Sequence, residues 1–278
     1  MNINTLKRVF RYITRGVPVE YITAEVKVNN NKRLEDKTIL ITGGAKGIGF
    51  AIAKKCIDEG AHVIICGRNE NDLISSSKAL GANCKYLQYD VANVSMMEDF
   101  LQNASKKMGG RINCLVNNAG VSYHEKSFRE VTEEGFDTQF DINFKGAYFL
   151  AKYFVQYVES NAIENANILF ISSERGSYCT DIPYGLSKAT INSLVAALSN
   201  RLCLNSHIRV NALSPGVTVS SMTGRTADSN LSYGGNPLGR VFLPEEMAEV
   251  ASFLLSDYSS CISGEVIHCD AGAHHKCI

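Results

Sequence analysis

Short apolar runs alternate with longer amphipathic stretches along most of the chain. The runs His62–Cys66 and Asn167–Ile171 are almost wholly apolar, which is typical of strands buried on both faces of a parallel sheet. The pattern predicts strands at 37–42, 62–66, 84–88, 112–116, 166–171, 207–213 and 264–269. Helical periodicity predicts helices near 48–59, 70–80, 94–108, 131–160, 182–204 and 244–256. This alternation indicates the α/β class: a doubly wound parallel sheet of about seven strands with helices on both faces.

The 278 residues suit one large domain that follows an N-terminal extension. Residues 36–278 carry the alternating pattern, whereas residues 1–35 do not. Apolar residues at helical spacing in the extension lie beside four basic ones, Lys7, Arg8, Arg11 and Arg15. One interpretation is a basic amphipathic helix that contacts a membrane surface or a partner. A disordered or self-docking extension is the other.

Charge and cysteine usage exclude several classes of protein. Lys+Arg and Asp+Glu each number 28, so the charge balance gives no support for a nucleic-acid partner. The nine cysteines include no Cys-x-x-Cys pair, and we expect reduced thiols in a cytoplasmic protein. No apolar run is long enough to span a bilayer, and none follows the basic N-terminus as in a secretory signal. His124, His268, His274 and His275 lack carboxylates or cysteines at metal-ligand spacing, so we expect no metal site.

A glycine-rich turn, T-G-G-A-K-G-I-G at residues 42–49, joins the first strand to the first helix. Glycines let the backbone approach a ligand closely, and the unpaired N–H groups of the helix N-terminus favour an anion. An ordinary βα loop is the plain alternative. We expect a dinucleotide pyrophosphate here, with the binding residues Gly43, Lys46, Gly47, Ile48 and Gly49.

The end of the second strand bears on the choice of dinucleotide. Many dinucleotide folds place a carboxylate there for the adenosine ribose, but this chain reads Cys66-Gly67-Arg68-Asn69. The guanidinium of Arg68 suits a 2′-phosphate, and Lys46 adds a second cation. The pair favours NADP(H) over NAD(H), unless both are solvated surface cations.

A Y-x-x-x-K motif at Tyr184 and Lys188 is the candidate catalytic pair. Residues four apart share one helix face, and a nearby ammonium favours phenolate, so we expect it to lower the pKa of the tyrosine. The pair can then move a proton to or from a carbonyl or alcohol oxygen. Tyr148 and Lys152 have the same spacing and serve as an internal control.

The surroundings of Tyr184 separate the two motifs. The fifth strand ends in Ser172-Ser173, and Gly176 follows three residues later. Asp181 can cap the helix that carries Tyr184, and Pro183 suits the first turn of that helix. No such serine precedes Tyr148.

Together these motifs resemble the classical short-chain dehydrogenase/reductases, and the resemblance covers roughly residues 36–273. It implies a Rossmann fold and a catalytic set of Ser173, Tyr184, Lys188 and Asn143, the last supporting a water-linked proton relay. Ser173 precedes Tyr184 by eleven residues, where thirteen is the common family spacing. A loop shortened by two residues explains this, with Ser172 as the alternative serine.

The resemblance extends to the ends of other strands. Asp90 and Val91 match the family's adenine-binding pair, although an aspartate there is more often a helix cap. Asn117-Asn118-Ala119-Gly120 matches the N-N-A-G motif, which implies cofactor contacts at Asn117, Ala119 and Gly120. Pro215, Gly216, Val217 and Thr218 match the turn that meets the nicotinamide carboxamide. The Ser- and Gly-rich residues near 217–236 are expected to form a mobile substrate lid.

Residues 237–246 resemble bacterial 3-oxoacyl-carrier-protein reductases and their sugar- and polyol-oxidising relatives. Members of the family usually pair through the helices near 131–160 and 182–204, which implies a homodimer or homotetramer. The sequence therefore predicts an NADPH-linked reductase of a small-molecule carbonyl substrate. An alcohol, sugar or polyol dehydrogenase is the alternative enzyme, and a low-turnover nucleotide-binding module is the alternative of another class.

Overall fold

The computed structural model describes residues 32–275, which form a seven-stranded, all-parallel sheet with helices on both faces. The strands are β1 (Thr38–Thr42), β2 (His62–Gly67), β3 (Cys84–Gln88), β4 (Cys114–Asn117), β5 (Asn167–Ile171), β6 (Arg209–Pro215) and β7 (Val266–Cys269). Their order across the sheet is β3-β2-β1-β4-β5-β6-β7. The predicted α/β fold is confirmed, and every predicted strand is present with ends shifted by at most two residues.

The helices are α1 (Gly47–Asp58), α2 (Glu70–Leu80), α3 (Met97–Lys107), α4 (Glu133–Phe140), α5 (Ala147–Ser160), α6 (Pro183–Asn205) and α7 (Pro244–Leu255). The single helix predicted at 131–160 was wrong in one respect. A π-helical segment, Asp141–Gly146, separates α4 from α5. Its last residue packs closely: a Cβ on Gly146 would lie 2.5 Å from the carbonyl oxygen of Val91. The wider turn places Asn143 inside the protein, where 2% of the residue is exposed.

The chain changes direction across the sheet at β1. It runs outward from β1 to β2 and β3, then crosses to β4 on the other side of β1. Ile41 of β1 pairs with Val116 of β4, so the next residues of the two strands are neighbours at the carboxyl end. In doubly wound sheets the ligand crevice opens at this reversal point. The fold therefore directs attention to Thr42 and Asn117.

Alternate residues of β1 show how the two faces of the sheet are covered. Ile41 packs in one apolar cluster with residues of α1 and α7, such as Ile52 and Leu254. Leu40 points the other way and joins a second cluster with Phe154 of α5. All five side chains are at most 1% exposed. Burial on both faces explains why the strands read as continuous apolar runs.

The residues just before β1 pack on the domain. Leu34 is fully buried, and its N–H donates to the carbonyl of Glu59 at 3.0 Å. The basic helix hypothesised for the extension falls on residues outside the described range. Within residues 32–275, no helix has the length and apolar character needed to cross a membrane.

The eight cysteines in the described part of the chain are all free thiols. Burial raises the pKa of Cys66 and of Cys114 to about 12, so these two thiols stay protonated at neutral pH.

A buried cluster of charges ties the segment before β1 to the helices α1 and α7. The Glu59 carboxylate, at the end of α1, is fully buried and accepts from Arg33 Nε at 3.2 Å. Lys55 Nζ lies 2.9 Å from Glu59 and 2.6 Å from Glu249 of α7. Ser252 Oγ donates to Glu59 at 2.6 Å. One carboxylate thus satisfies donors from three segments, and its removal leaves two cations short of a partner.

We expect Glu59→Gln to lower the free energy of unfolding by about 3 kcal/mol, because it leaves buried charge uncompensated. Burial raises the pKa of Glu59, but hydrogen bonds from Arg33, Ser252 and Lys55 outweigh it, so the pKa lies below its usual value. The contribution is therefore present above the unfolded-state pKa and is lost as pH falls through the folded-state value. Urea unfolding at pH 7 and at acidic pH measures both effects.

The exposed pair Lys32–Glu35, 3.8 Å apart, provides the matched control. Glu35→Gln should change stability by less than about 0.5 kcal/mol. Equal effects of the two substitutions would contradict the assignment of the cluster.

Candidate active site

The glycine-rich turn between β1 and α1 lies at the reversal point of the sheet. Gly43 and Gly47 have φ values of +63° and +53°, which residues with a side chain rarely adopt. A Cβ on Gly49 would lie 2.4 Å from the carbonyl oxygen of Gly43, so only glycine lets the turn close on itself. The first turn of α1 has no acidic residue and no side-chain cap. Its N–H groups can therefore receive the phosphates of a dinucleotide, with Ile48 half-buried beside them.

Thr42 and Asn118 join the ends of β1 and β4 across the crevice. The Thr42 hydroxyl accepts from the N–H groups of Asn118 and Ala119, both at 2.9 Å. Asn118 Nδ2 donates to the carbonyls of Thr42 at 2.8 Å and Gly43 at 3.0 Å. Asn117 donates to the carbonyl of Ala147 instead, at 3.4 Å. The N-N-A-G motif includes Asn118, the amide that makes these bonds. The residues predicted to bind the cofactor included neither Asn118 nor Thr42.

The two cations predicted to bind a 2′-phosphate, Arg68 and Lys46, have different surroundings. Arg68 is exposed and follows β2 directly. Lys46 is also exposed, but its Nζ lies 2.7 Å from Asp72 Oδ2, at the start of α2. Sequence analysis did not consider Asp72, because the carboxylate follows the strand by several residues. A bound 2′-phosphate would have to share Lys46 with this acid.

The remaining residues predicted to contact the cofactor lie at the ends of β3 and β6. Asp90 Oδ1 accepts from Ala92 N at 3.0 Å, a local turn rather than a helix cap, and Val91 is buried. At the end of β6, Gly216 N donates to the carbonyl of Cys269 at 3.0 Å. A Cβ on Gly216 would lie 2.8 Å from the ring of Phe242.

The segment after Pro215 is fixed by short-range hydrogen bonds. Phe242 N donates to the carbonyl of Val217 at 2.9 Å, and Thr218 Oγ1 donates to the carbonyl of Gly216 at 2.9 Å. The region predicted as a lid has its own small apolar cluster, Val219, Leu231, Val241 and Leu243.

A contact outside this cluster also holds the region predicted as a lid. His124 Nε2 lies 2.8 Å from the carbonyl oxygen of Met222. This contact joins the region to the loop after β4.

Helix α6 presents the Y-x-x-x-K pair at the carboxyl edge of the sheet. Pro183 is the first residue of α6, as predicted, but Ile182 rather than Asp181 is the N-cap. Asp181 does not cap the helix because its Oδ2 accepts from Phe128 N at 3.4 Å. Lys188 is 4% exposed, and its Nζ donates to the carbonyl of Ile171 at 2.7 Å. The same Nζ lies 5.9 Å from the centre of the Tyr184 ring.

Burial dominates the protonation of both members of the pair. It raises the pKa of Tyr184 above its usual value, and a hydrogen bond with Ser173 lowers it only in part. The expectation of a lowered tyrosine pKa was wrong, because desolvation of the phenolate outweighs the stabilising contacts. Burial also lowers the pKa of Lys188 to about 8.

The geometry distinguishes the two candidate serines. Ser173 begins a 3₁₀ turn, Glu174–Gly176, and is hydrogen-bonded to the Tyr184 phenol. Ser172 Oγ instead donates to Asn192 Oδ1 at 2.6 Å, on the far side of the turn. Ser173 is therefore the serine that faces Tyr184.

Asn143 connects the π-helical segment to the same site. Its Oδ1 accepts from Val121 N at 2.8 Å, and its Nδ2 donates to the carbonyl of Val121 at 2.9 Å. Nδ2 also reaches Ser187 Oγ at 3.2 Å, on the helix of Lys188. A Cβ on Gly120 would lie 3.2 Å from Asn143 Oδ1 and 3.6 Å from Lys188 Nζ. The structure thus brings the predicted residues of β4, α6 and the π-helical segment together.

The second Y-x-x-x-K motif, Tyr148 and Lys152, lies away from this site. Tyr148 is 42% exposed, and its ring contacts Phe144 and Phe149 on the outer surface of the helix. Lys152 Nζ lies over the ring of Tyr153, 4.9 Å from its centre. A surface cavity of about 360 Å³ near Arg111 and Ile163 lies at the amino ends of β4 and β5, opposite the site.

A family model described as enoyl-(acyl carrier protein) reductase matches residues 43–274. A tropinone reductase homolog of Arabidopsis thaliana is 32% identical over 251 residues, 87% of this chain and 95% of the relative. The 3-oxoacyl-(acyl-carrier-protein) reductase FabG of Thermotoga maritima is 33% identical over 247 residues, covering 86% of this chain and 98% of that protein.

A solved structure shows the same fold. The 3-ketoacyl-(acyl-carrier-protein) reductase of Brucella melitensis, complexed with NADH, superposes with a TM-score of 0.80 at 26% identity. The match covers 87% of this chain and 99% of the other.

The buried ammonium of Lys188 generates a prediction about stability. The folded state binds the proton less tightly than the unfolded state, so stability rises with pH between about 8 and about 10.4. Below that window the buried charge destabilises the fold. Lys188→Met should therefore raise the free energy of unfolding at pH 7 by about 1–3 kcal/mol, after loss of one hydrogen bond. It should also abolish the rise in stability through that window.

Lys152→Met is the matched control, because Lys152 has the same motif spacing and is exposed. Urea unfolding at pH 7 and pH 10 should show little change for this variant. A Lys188→Met protein less stable than the wild type at pH 7 would mean that the ammonium is compensated in the folded state.

Proposed function

Because the chain belongs to the short-chain dehydrogenase/reductase family, we propose that it is an NADPH-linked reductase of a small-molecule carbonyl compound, 3-oxoacyl-thioester-like or sugar-like. The family itself makes the chain an oxidoreductase that uses NAD(P)(H) and acts on carbonyl or alcohol groups. One observation carries the finer proposal: Tyr184 is hydrogen-bonded to Ser173, and the buried Lys188 lies one helical turn away.

The residues present fit a nicotinamide dinucleotide. The positive φ angles and missing side chains of the glycine turn leave room for the pyrophosphate. Because Gly120 has no Cβ, which would lie 3.6 Å from Lys188 Nζ, the space beside the ammonium is also left free. When bound, the nicotinamide supplies the hydride for reduction or accepts it in oxidation. The Lys188 ammonium has three donors and uses one on Ile171, so two are available for ribose hydroxyls.

Proton transfer then falls to Tyr184. Its raised pKa keeps the phenol protonated at neutral pH, which is the state that donates a proton to a carbonyl oxygen. The Ser173 hydroxyl is placed to hydrogen-bond the same oxygen as charge develops on it. Asn143 holds the backbone of Val121 and the start of the proton relay that the family resemblance implies.

The alternative functions differ in what they require. A sugar, polyol or alcohol dehydrogenase would use the same residues in the oxidative direction, which starts from the Tyr184 phenolate. A nucleotide-binding module with little turnover has no need of Ser173, Tyr184 and Lys188 together. A screen with both cofactors over acyl thioesters, ketosugars and small diketones tests the proposal, and binding of cofactor without turnover of any carbonyl or alcohol would contradict it.

Tyr184→Phe removes only the transferable proton, so it should retain fold and cofactor binding while losing about 10²-fold or more in kcat. Lys188→Ala should lose turnover and weaken cofactor binding as well. Ser173→Ala should lower kcat mainly, by removing a donor to the developing oxyanion. Steady-state kinetics and fluorescence titration of the cofactor separate these effects.

The same measurements on two variants control for the motif and the serine. Tyr148→Phe and Ser172→Ala should retain turnover within about threefold, since general acid–base catalysis needs contact with the reacting oxygen. A Tyr184→Phe enzyme with more than a tenth of wild-type kcat, or an inactive but folded Tyr148→Phe enzyme, would contradict the assignment.

We expect NADPH to bind more tightly than NADH, through Arg68 and Lys46. Arg68→Asp should weaken NADPH by about 2–3 kcal/mol, because it replaces attraction of the 2′-phosphate by repulsion. Asp72→Asn should act in the opposite direction, since it frees Lys46 for the phosphate. Titration of each variant with both dinucleotides measures the difference, with the exposed Arg201→Asp as a control. Equal wild-type affinities for the two dinucleotides would refute the preference.

An assembly of two or four copies is also part of the proposal. Large apolar side chains are exposed on the two helical regions through which the family usually pairs: Phe136 at 39%, Tyr148 at 42% and Leu186 at 38%. An isologous contact between copies would cover them. Light scattering at micromolar concentration should give a mass of at least twice 30.4 kDa. A monomer under those conditions would exclude the paired state.

A further inference from the structure

A chain of polar side chains connects the Ser173 turn to α6 and β7. Ser172 Oγ donates to Asn192 Oδ1 at 2.6 Å. Asn192 Nδ2 donates to the carbonyl of Gly176 at 3.1 Å and to Ser177 Oγ at 3.4 Å. Ser177 Oγ lies 2.7 Å from His268 Nε2, on β7. The chain therefore joins β5, the turn, α6 and β7.

The direction of these hydrogen bonds follows from the tautomer of His268. A backbone hydrogen bond at Val266 raises the pKa of His268. We assign the ring proton to Nδ1, so that the Nε2 lone pair accepts from the Ser177 hydroxyl. Burial and the neighbouring His274 and His275 outweigh Val266 and Asp270, so the pKa of His268 lies below its usual value. The ring is neutral at neutral pH and keeps this acceptor role.

The ring of His268 is itself held in place from the C-terminal side. It stacks on the ring of His274 at 3.8 Å, with 16° between their planes. His274 Nδ1 lies 2.8 Å from Asp270 Oδ2. Asp270 is fully buried and also accepts from Gly272 N at 2.9 Å. These contacts fix the orientation of an acceptor that would otherwise rotate.

The turn between Ser173 and Ser177 packs directly on α6. A Cβ on Gly176 would lie 2.7 Å from the backbone carbon of Lys188. The turn carries Ser173, and α6 carries Tyr184 and Lys188. The position of the serine relative to the other two residues therefore depends on this contact. The loop between Ser173 and Tyr184 is two residues shorter than the common family spacing, and a short loop transmits a displacement at either end.

We propose that His268 is a positioning residue for proton transfer: through Ser177 and Asn192 it holds the Ser173 turn against the helix of Tyr184 and Lys188. The inference rests on the proposed function, because positioning matters only if Ser173 and Tyr184 act on one oxygen. Displacement of a reacting group by about 1 Å can cost 10²-fold in rate. Loss of the acceptor at His268 should therefore reduce kcat while leaving the cofactor site intact.

Two substitutions distinguish the effect of losing the hydrogen-bond acceptor from the effect of losing the volume of the ring. His268→Leu removes the acceptor, and we expect kcat to fall about 10–100-fold with the KM for the cofactor within about twofold. His268→Gln restores an oxygen acceptor near the Nε2 position, and kcat should return to within about threefold of the wild type. A merely structural role for the ring would make both variants equally impaired.

Ser177→Ala tests the link itself. If Ser177 transmits the effect, the double variant Ser177→Ala/His268→Leu should be no slower than the worse single variant, whereas independent roles would multiply the losses. His62→Gln is the control, since His62 is exposed at the start of β2 and takes no part in the chain of hydrogen bonds. Its kcat should match that of the wild type.

Amide hydrogen exchange of the peptide 172–182 gives a readout that does not need turnover. Exchange there should rise in His268→Leu and not in His268→Gln or His62→Gln. Wild-type turnover with unchanged kcat and exchange in His268→Leu would overturn the positioning role alone. No turnover by the wild type, with exchange raised only in His268→Leu, would instead overturn the proposed function and leave the mechanical link established.

Discussion

The buried ammonium of Lys188 is the constraint around which the site is built. Its side chain is almost fully enclosed, and in the described part of the chain burial is the only resolved influence on its pKa. One backbone carbonyl, at the end of β5, accepts its proton at 2.7 Å. A charge buried in this way destabilises the fold, and favourable packing in the surrounding sheet must offset that loss.

The geometry of a parallel sheet then collects the remaining groups. All seven strands point the same way, so the residues after β1, β4, β5 and β6 meet at one edge. Thr42 and Asn118 fasten two of those ends together, which sets the position of Gly120 relative to Lys188. The π-helical segment adds Asn143 to the same region from the helical layer. None of these residues is close to Lys188 in sequence.

Rigidity at the site comes from contacts on its outer side. The buried cluster around Glu59 anchors α1 and α7 on one face of the sheet and ties the start of the described chain to them. On the other side of the site, the side chains from Ser172 to His268 hold the Ser173 turn, and the turn after β7 holds His268. The segment predicted to be the substrate lid is held by short-range hydrogen bonds, a small apolar cluster and the contact of His124 with Met222.

The sequence by itself determined the order of strands and helices, the glycine turn and the Tyr184–Lys188 pair. These rest on local periodicity and on residue types that only a few backbone positions accept. The tertiary structure alone decided that Ser173 rather than Ser172 faces Tyr184, that Asn118 rather than Asn117 reaches β1, and that Asp72 pairs with Lys46. It also decided the direction in which the pKa of Tyr184 shifts. These outcomes depend on desolvation and on contacts between residues far apart in the chain, and spacing along the sequence carries no information about either.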